Sequence, residues 1–484
     1  MIFETIIGLE IHIELNTRSK MFCACSTEFG AQPNANTCPV CLGMPGTYPV
    51  LNKEAVRLAL RAARALNCRI NKVSCFNRKN YFYPDLPKGY QITQFELPLC
   101  EDGFLEFESE AGNKKSGRAI NHIEISRIHL EEDAGKLMHP EDQPVTLVDY
   151  NRAGVPLIEI VTRPKAIRPQ AAVDFLKELK SVMEYTGVSD CRMEQGSLRC
   201  DVNISVRRKG EKELGTKVEI KNLNSFKEIH KAMEWEMQRQ QELLLKGKKV
   251  MPETRRWDQI RGVTIPMRTK NGSQQYYITP EPDLPGLDLK SEIFRSYLEE
   301  PLPELRAQKN RRFMEQYNLS RYEAEILTQN KGLADYYETV VKHGAAPVDA
   351  SNWILVELLR LWNPADNAEI PVSGKALAQL IKLVNEGTIS RNAGKKVLDE
   401  MFETGKSPRL IIEEKGLAQI SSRAEIEIIV DQVLKQNKDA VEEYKTGRTK
   451  VAGFLMGQIM KAGRGRLNPN VAREILEEKL KRSM

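Results

Sequence analysis

Alternating apolar and polar positions dominate the first 290 or so residues of this chain. In Ile7-Gly-Leu-Glu-Ile-His-Ile-Glu-Leu15, the side chains of Leu9, Ile11, Ile13 and Leu15 point one way and those of Glu10, His12 and Glu14 the other, as a strand's period of two dictates. Arg199-Cys-Asp-Val-Asn-Ile-Ser-Val-Arg207 repeats the layout, with Val202, Ile204 and Val206 opposed to Asp201, Asn203 and Ser205. Shorter runs set Glu159 and Val161 against Ile158 and Ile160, and Glu219 and Lys221 against Val218 and Ile220. One side packs; the other lines a surface or cleft. The pattern predicts strands and turns, with helices over 53–66 and near 169–185, in one large mixed α+β domain whose strands share a polar face.

From about Phe294 the spacing becomes helical, as in Phe294-Arg-Ser-Tyr-Leu, Arg311-Arg-Phe-Met-Glu-Gln-Tyr and Trp353-Ile-Leu-Val-Glu-Leu-Leu-Arg-Leu-Trp362. Turn formers at Gly344-Ala-Ala-Pro-Val-Asp and Gly405-Lys-Ser-Pro408 divide this part. The expected organisation is an α+β domain over 1–293, a helical domain over 294–405 and a small separate bundle over 406–484.

Composition narrows the class. A chain of 484 residues with 41% hydrophobic and 29% charged residues reads as a folded, multidomain protein rather than a disordered one. No apolar run approaches a membrane span, and Met1-Ile-Phe-Glu-Thr carries charge where a signal peptide keeps apolar residues, so the expectation is a cytoplasmic protein without a membrane. Net charge is only +6, so affinity for polyanions has to come from local patches.

Just after the first strand stand Cys23-Ala-Cys25 and Cys38-Pro-Val-Cys41, joined by the turn-rich Phe29-Gly-Ala-Gln-Pro-Asn-Ala-Asn-Thr37. Two pairs at this spacing suit a tetrahedral Zn²⁺ shell of Cys23, Cys25, Cys38 and Cys41. Two disulfides, or thiols that merely fill core, are the other readings. Cys68, Cys75, Cys100, Cys191 and Cys200 are scattered and odd in number, which fits reduced thiols better than a disulfide framework.

Glu10 and His12 share one strand face and suit a divalent ion, though Glu-x-His is also common on a plain surface strand. His129-Leu-Glu-Glu-Asp-Ala-Gly-Lys136 adds Glu131, Glu132 and Asp133 before a glycine; three adjacent carboxylates are either solvated or bound to cations. In Asn77-Arg-Lys-Asn-Tyr-Phe-Tyr-Pro-Asp-Leu-Pro-Lys-Gly-Tyr90, the basic Lys79 and Lys88 alternate with Tyr81 and Tyr83, a mix suited to phosphates and a stacked base or to packed loop aromatics. Near the end, 447–466 places Arg448, Lys450, Lys461, Arg464 and Arg466 among glycines around an apolar helix, which fits either a phosphate backbone or a solvated surface. No Walker or dinucleotide fingerprint occurs, so a nucleotide would need a different kind of site.

Taken in order along the chain, Ile7-Gly-Leu-Glu-Ile-His, Cys38-Pro-Val-Cys-Leu-Gly-Met-Pro-Gly46, Arg78-Lys-Asn-Tyr-Phe-Tyr-Pro-Asp85, Ile128-His-Leu-Glu-Glu-Asp-Ala-Gly-Lys136, Asp149-Tyr-Asn-Arg-Ala-Gly-Val-Pro-Leu157, Glu219-Ile-Lys-Asn-Leu-Asn-Ser-Phe226 and Gly453-Phe-Leu-Met-Gly-Gln458 resemble the B subunits of bacterial tRNA-dependent amidotransferases. The resemblance implies a cradle-type α+β catalytic domain with a mixed sheet and zinc-binding loop, an all-α helical domain and a YqeY-like tail that grips tRNA. It implies ATP and Mg²⁺ as cofactors, Zn²⁺ as a structural ion, A and C subunits as partners in a heterotrimer, and misacylated tRNA as substrate. By similarity, Glu10, His12, Glu132, Glu159 and Glu219 are the catalytic residues to expect, Glu10, His12, Glu131 and Glu132 the magnesium ligands, and Lys79, Tyr81, Tyr83 and Lys88 the nucleotide contacts.

The chain departs from that pattern at one place. Where such subunits usually read Asp-Tyr-Arg-Tyr-Phe before Pro-Glu-Pro-Asp-Leu, this sequence has Gln275-Tyr-Tyr-Ile-Thr279 before Pro280, with Arg268 or Lys270 as basic residues able to compensate. Two other readings compete with the enzyme: a noncatalytic zinc protein that binds tRNA, and a metal-dependent phosphoesterase. Tests with ATP and partner subunits separate them.

Overall fold

The computed structural model describes residues 2–110, 118–140, 144–267, 277–363, 369–420, 422–445, 448–463 and 467–482. Two compact units emerge, Met1–Leu305 and Arg306–Met484. The first begins with β1 (Phe3–Glu14) and α1 (Lys53–Ala65), followed by the short strands β2 (Arg69–Ile70), β3 (Val73–Ser74), β4 (Asn77–Asn80) and β5 (Tyr90–Thr93). Next come the long strands β6 (Cys100–Glu110) and β7 (Arg118–Glu132), then β8 (Lys136–Met138), β9 (Leu147–Asp149), β10 (Pro156–Thr162), β11 (Lys165–Ala166) and α2 (Pro169–Thr186). The unit closes with β12 (Leu198–Arg208), β13 (Val218–Lys221), α3 (Phe226–Leu245), β14 (Glu253–Asp258), β15 (Val263–Pro266), β16 (Tyr277–Pro280), β17 (Leu287–Asp288) and α4 (Glu292–Glu299).

The main sheet runs in the order β15-β14-β13-β12-β1-β10-β7-β6-β2, with β11 also on β1. Among its described strands only β13 and β14 pair in parallel; the other neighbours are antiparallel. A parallel pair needs a crossover, and α3 supplies it. This helix corrects the expectation of only two helices before residue 290. Its sequence is rich in Lys, Glu and Gln, good helix formers that leave a weak apolar stripe. Its start is marked all the same: Ser225 Oγ accepts from Glu228 N at 3.2 Å, and Glu228 Oε2 accepts from Asn224 N at 2.9 Å.

The two helices read from the sequence are present. Asn52 caps α1 by accepting from Glu54 N at 3.0 Å, and α2 opens at Pro169 and stops at Gly187, whose φ of 70° suits a residue without Cβ. All three helices contribute to one core with the apolar side of the sheet: Ile11, Ile13, Ile158, Ile160, Val202 and Ile204 cluster with Leu60, Phe175, Leu179 and Met233. The opposite side of the sheet is therefore free to be polar.

The first unit runs to Leu305. Phe294, Tyr297 and Leu298 of α4 and the following Leu302 and Leu305 pack on that same core, and Glu300 accepts from Arg57 at 2.7 Å and Arg61 at 2.8 Å. The second unit is helical and holds two apolar clusters, one spanning Phe313 to Ile412 and one spanning Ile426 to Leu480. Within the first cluster, the run containing Trp353 opens into a π-helical turn, Trp353–Leu358. Among the described residues no helix is long and apolar enough to cross a membrane.

Candidate active site on the polar face of the sheet

Strand register decides which polar residues meet. His12 lies opposite Glu159 on β10 and Arg199 on β12, and Glu159 lies opposite His129 on β7. Residues directly opposite in an antiparallel pair share a face, so Arg199, His12, Glu159 and His129 form a row across four strands. Glu10 faces Asp201 in the next row, and Glu131 follows His129 along β7. Farther out, Asn203 faces Glu219 on β13.

The row converges on two carboxylates. His12 Nε2 lies 3.2 Å from Glu159 Oε2 and 3.3 Å from Glu131 Oε1. His129 Nε2 lies 3.7 Å from oxygens of both. Burial alone disfavours a charged His12, but its hydrogen bond to Glu159 and the charges of Glu131 and Glu159 outweigh that and lift it to about 9. Burial likewise pushes Glu159 up, and the His12 hydrogen bond and neighbouring imidazoles bring it down to about 2. Glu10 is raised, first by burial and then by the charge of Glu159. At the row's other end, burial and the charge of Asp133 push Glu14 up to about 8, while Asp133 is paired to Arg199 at 2.7 Å and to Arg152 at 3.4 Å.

This donor set fits a divalent cation. Ligand atoms of Glu10, His12 and Glu159 all lie within 4.8 Å of one another. Ligands at about 2.1 Å from an octahedral ion sit roughly 3.0–4.2 Å apart, so small side-chain adjustments suffice. A cation there would relieve the repulsion that raises Glu10.

The expected residues divide into several places. Glu10, His12, Glu131 and Glu159 come together. Glu132 does not join them: adjacent residues of a strand face opposite sides, and its carboxylate pairs with Lys88 and accepts from Ile92 N at 2.9 Å. Glu132 and Lys88 line a cavity of about 70 Å³ shared with Cys23, Cys41 and Lys20. Glu219 is on the polar face but outside the cation group, 3.2 Å from Lys221 and accepting from Thr254 Oγ1 at 2.9 Å. Lys221 also pairs with Asp201 at 2.5 Å.

Lys79 sits on β4 between Gln91 of β5 and Ile278 of β16, while Tyr81 N donates to Gly89 O at 3.2 Å and Tyr83 is exposed in the loop beyond. Their neighbour Arg78 is more firmly built in. It holds the buried Glu281 through two bonds of 2.8 and 3.0 Å, reaches Asp283 at 3.0 Å and lies over the Tyr90 ring at 4.4 Å. The divergent segment is thus tied to β4: Tyr277 faces Asn80 with its own ring exposed, and Thr279 Oγ1 accepts from Asn80 at 3.1 Å. Gln275, Arg268 and Lys270 lie outside the described residues.

The four Sγ atoms of Cys23, Cys25, Cys38 and Cys41 lie within 4.8 Å of one another, and all nine cysteines are free thiols. Zn–S bonds of about 2.3 Å place sulfurs roughly 3.8 Å apart in a tetrahedron, so the cluster fits zinc. Its loop is anchored by the fully buried Lys20, which donates to Asn36 O at 2.7 Å and Tyr150 O at 3.1 Å. Asn151 adds a bond to Gln32 O at 2.7 Å and accepts from Asn36 N at 2.8 Å.

In the second unit, Arg448 is largely exposed, Lys450 precedes the helix Val451–Ala462, and Lys461 is in its last turn. Arg464 and Arg466 lie outside the described residues. Sequence reasoning passed over His129, Asp201, Lys221 and Arg199 as site residues. The signal for His129 was present: His129 and Glu131 are two apart on a strand, as Glu10 and His12 are.

A sheet face that gathers imidazoles and carboxylates, in a unit that also carries a four-thiol loop, defines an α+β protein built around metal-compatible sites. Residues 5–295 match the model of the GatB/GatE catalytic domain and residues 335–480 that of the GatB domain, so the chain belongs to this family, as its motifs suggested. It is 52% identical over 484 residues to the B subunit of the aspartyl/glutamyl-tRNA(Asn/Gln) amidotransferase of Clostridium beijerinckii, covering 99% of each chain. The B subunit of the same name from Carboxydothermus hydrogenoformans is 51% identical over 486 residues, again covering 99% of each. That of Caldanaerobacter subterraneus subsp. tengcongensis is 49% identical over 482 residues, covering 99% of this chain and 100% of the relative.

Proposed function

We propose that this chain is the carboxylate-activating subunit of a glutamine-dependent amidotransferase that acts on Glu or Asp misattached to tRNA-Gln or tRNA-Asn. Near-complete coverage by relatives bearing that name carries the reading. The reaction has two steps. A side-chain carboxylate oxygen of the substrate attacks the γ-phosphorus of ATP, ADP leaves, and an acyl phosphate forms. Ammonia, released from glutamine by the A subunit, then attacks the acyl carbon, and inorganic phosphate leaves with the amide in place.

A carboxylate resists attack by ammonia, and phosphorylation turns one of its oxygens into a leaving group, so the site needs charge stabilisation more than a protein nucleophile. Mg²⁺ held by Glu10, His12 and Glu159 would neutralise phosphate charge. Glu131 holds His12 in place through its carboxylate. Lys221, paired with Asp201 and Glu219, and Arg199, paired with Asp133, frame the cluster with positive charge. Lys79, Tyr81 and Tyr83 are the proposed nucleotide contacts, and the Glu132–Lys88 pair is proposed to act behind the sheet, on the path of ammonia. The four-cysteine loop holds structural zinc: with four thiolates as ligands no position is left for water or substrate.

The C subunit completes the heterotrimer, the tail over 406–484 serves the tRNA body through Arg448, Lys450 and Lys461, and the complex works in the cytoplasm. Co-expression with A and C subunits should yield a complex that converts Glu-tRNA-Gln or Asp-tRNA-Asn to the amide only with both ATP and glutamine. A complete complex inactive on both substrates would overturn the reading.

A further inference from the structure

A second polar row crosses the sheet one step beyond His12. Antiparallel register sets Arg69 of β2 opposite Glu101 of β6, Glu101 opposite Arg127 of β7, Arg127 opposite Val161 of β10, Val161 opposite Glu10 of β1, and Glu10 opposite Asp201 of β12. Lys221 of β13 pairs with Asp201 and extends the row. Glu10 thus stands midway between two cationic side chains, Arg127 and Lys221, each two strands away, or roughly 10 Å at about 4.8 Å per strand spacing.

The two cations differ in what they already hold. Lys221 is committed to Asp201 and Glu219. Arg127 has a carboxylate directly opposite, Glu101, but that carboxylate is 3.2 Å from Arg69 instead. Among the described residues the half-buried Arg127 side chain makes no hydrogen bond and no ion pair. Its charge still reaches the cation group: burial pushes Glu159 up, and the His12 hydrogen bond, the imidazole charges and then the charge of Arg127 draw it down. A guanidinium carries five N–H donors, and holding it partly out of water with none of them paired to protein is costly unless a ligand takes them. Val161 is apolar and partly exposed, so the row offers no competing polar group between the arginine and Glu10.

Resting on the ATP-dependent function proposed above, we propose that Arg127 is a catalytic residue of the phosphoryl transfer: its guanidinium binds the γ-phosphoryl group of ATP as that group passes to the substrate's side-chain carboxylate. In this step a P–O bond to the carboxylate oxygen forms, and the bond to the leaving oxygen of ADP breaks with its electron pair. No proton moves to or from the arginine, which donates hydrogen bonds to the non-bridging oxygens. Its planar fork matches two such oxygens at once, as the point charge of a lysine does not. Lys221, held by two carboxylates, is left to shape the far side of the site.

The test uses the reconstituted heterotrimer with ATP, Glu-tRNA-Gln and a saturating ammonium salt in place of glutamine, so that glutaminase plays no part. Arg127→Ala should lower kcat for amide formation by about 10³ while the KM for ATP stays within about threefold, the mark of an interaction made in the transition state. In a single turnover ADP should form as slowly as amide. Arg127→Lys keeps a charge and serves if the alanine variant does not fold; it should fall about tenfold or more, because it lacks the fork. Circular dichroism confirms that each variant is folded. Either folded variant amidating at the wild-type rate while Glu159→Gln is inactive would overturn the role of Arg127 and leave the proposed function standing. ADP formed at the wild-type rate without amide would also overturn it, as would a loss confined to the KM for tRNA. A wild-type complex that makes no amide would instead remove the function on which the role rests.

Discussion

Replacing Glu159 with Gln keeps the volume of the side chain and removes the charge on which both histidines converge. Its carboxyl is drawn down to about 2 from the usual 4.5. The surroundings favour the anion, with burial opposing and the imidazoles prevailing. The glutamine removes that partner from the imidazoles of the ion-free site and one ligand from the site when a cation occupies it. Loss of one preorganised electrostatic group commonly costs about 10²–10³ in turnover, so ATP-dependent amidation by the reconstituted complex should fall by about that factor. Glutaminase activity, which the proposed function assigns to the A subunit, should stay within about twofold, and the melting temperature should show the complex intact. Glu10→Gln and His12→Ala should follow the same pattern. Amidation within threefold of wild type in Glu159→Gln would refute the assignment of this face as the active site.

Cys38→Ser should lose zinc by elemental analysis and expose the loop between Met21 and Asn52 to protease, with activity tracking residual zinc; an active, zinc-free variant would overturn the structural role. Arg78→Ala strands the buried Glu281 without its bidentate partner, a change that typically costs about 3–5 kcal/mol, and the urea midpoint of the first unit should drop accordingly. Lys450→Ala combined with Lys461→Ala should weaken tRNA binding and flatten its salt dependence by about one unit of slope per lost phosphate contact, with glutaminase activity unchanged.

Local features were legible in the sequence and long-range ones were not. The four-cysteine cluster lies between Cys23 and Cys41, so spacing sufficed. Alternation in Leu9 to Leu15 and Val202 to Val206 reports burial on one side directly, and the structure buries those apolar residues. What alternation cannot report is register across distant strands. Nothing near Glu10 indicates that His12 will face Glu159, far along the chain, or that β7 will bring His129 to the same row. Glu131 and Glu132 look equivalent in a run of acids; only the strand they occupy turns one to the histidines and the other to Lys88. The helix α3 was missed for a related reason: its need arises from the parallel pairing of β13 and β14, which is a property of the sheet and not of the segment.

The central claim, that ATP activates the substrate's own side-chain carboxylate, has a direct isotopic test. Glu-tRNA-Gln carrying ¹⁸O in the side-chain carboxylate is amidated by the complex with ATP and glutamine, and the released inorganic phosphate is analysed by mass spectrometry. An acyl phosphate formed by that carboxylate predicts one ¹⁸O in each phosphate released with an amide. Amide formed with phosphate free of the label would contradict the account.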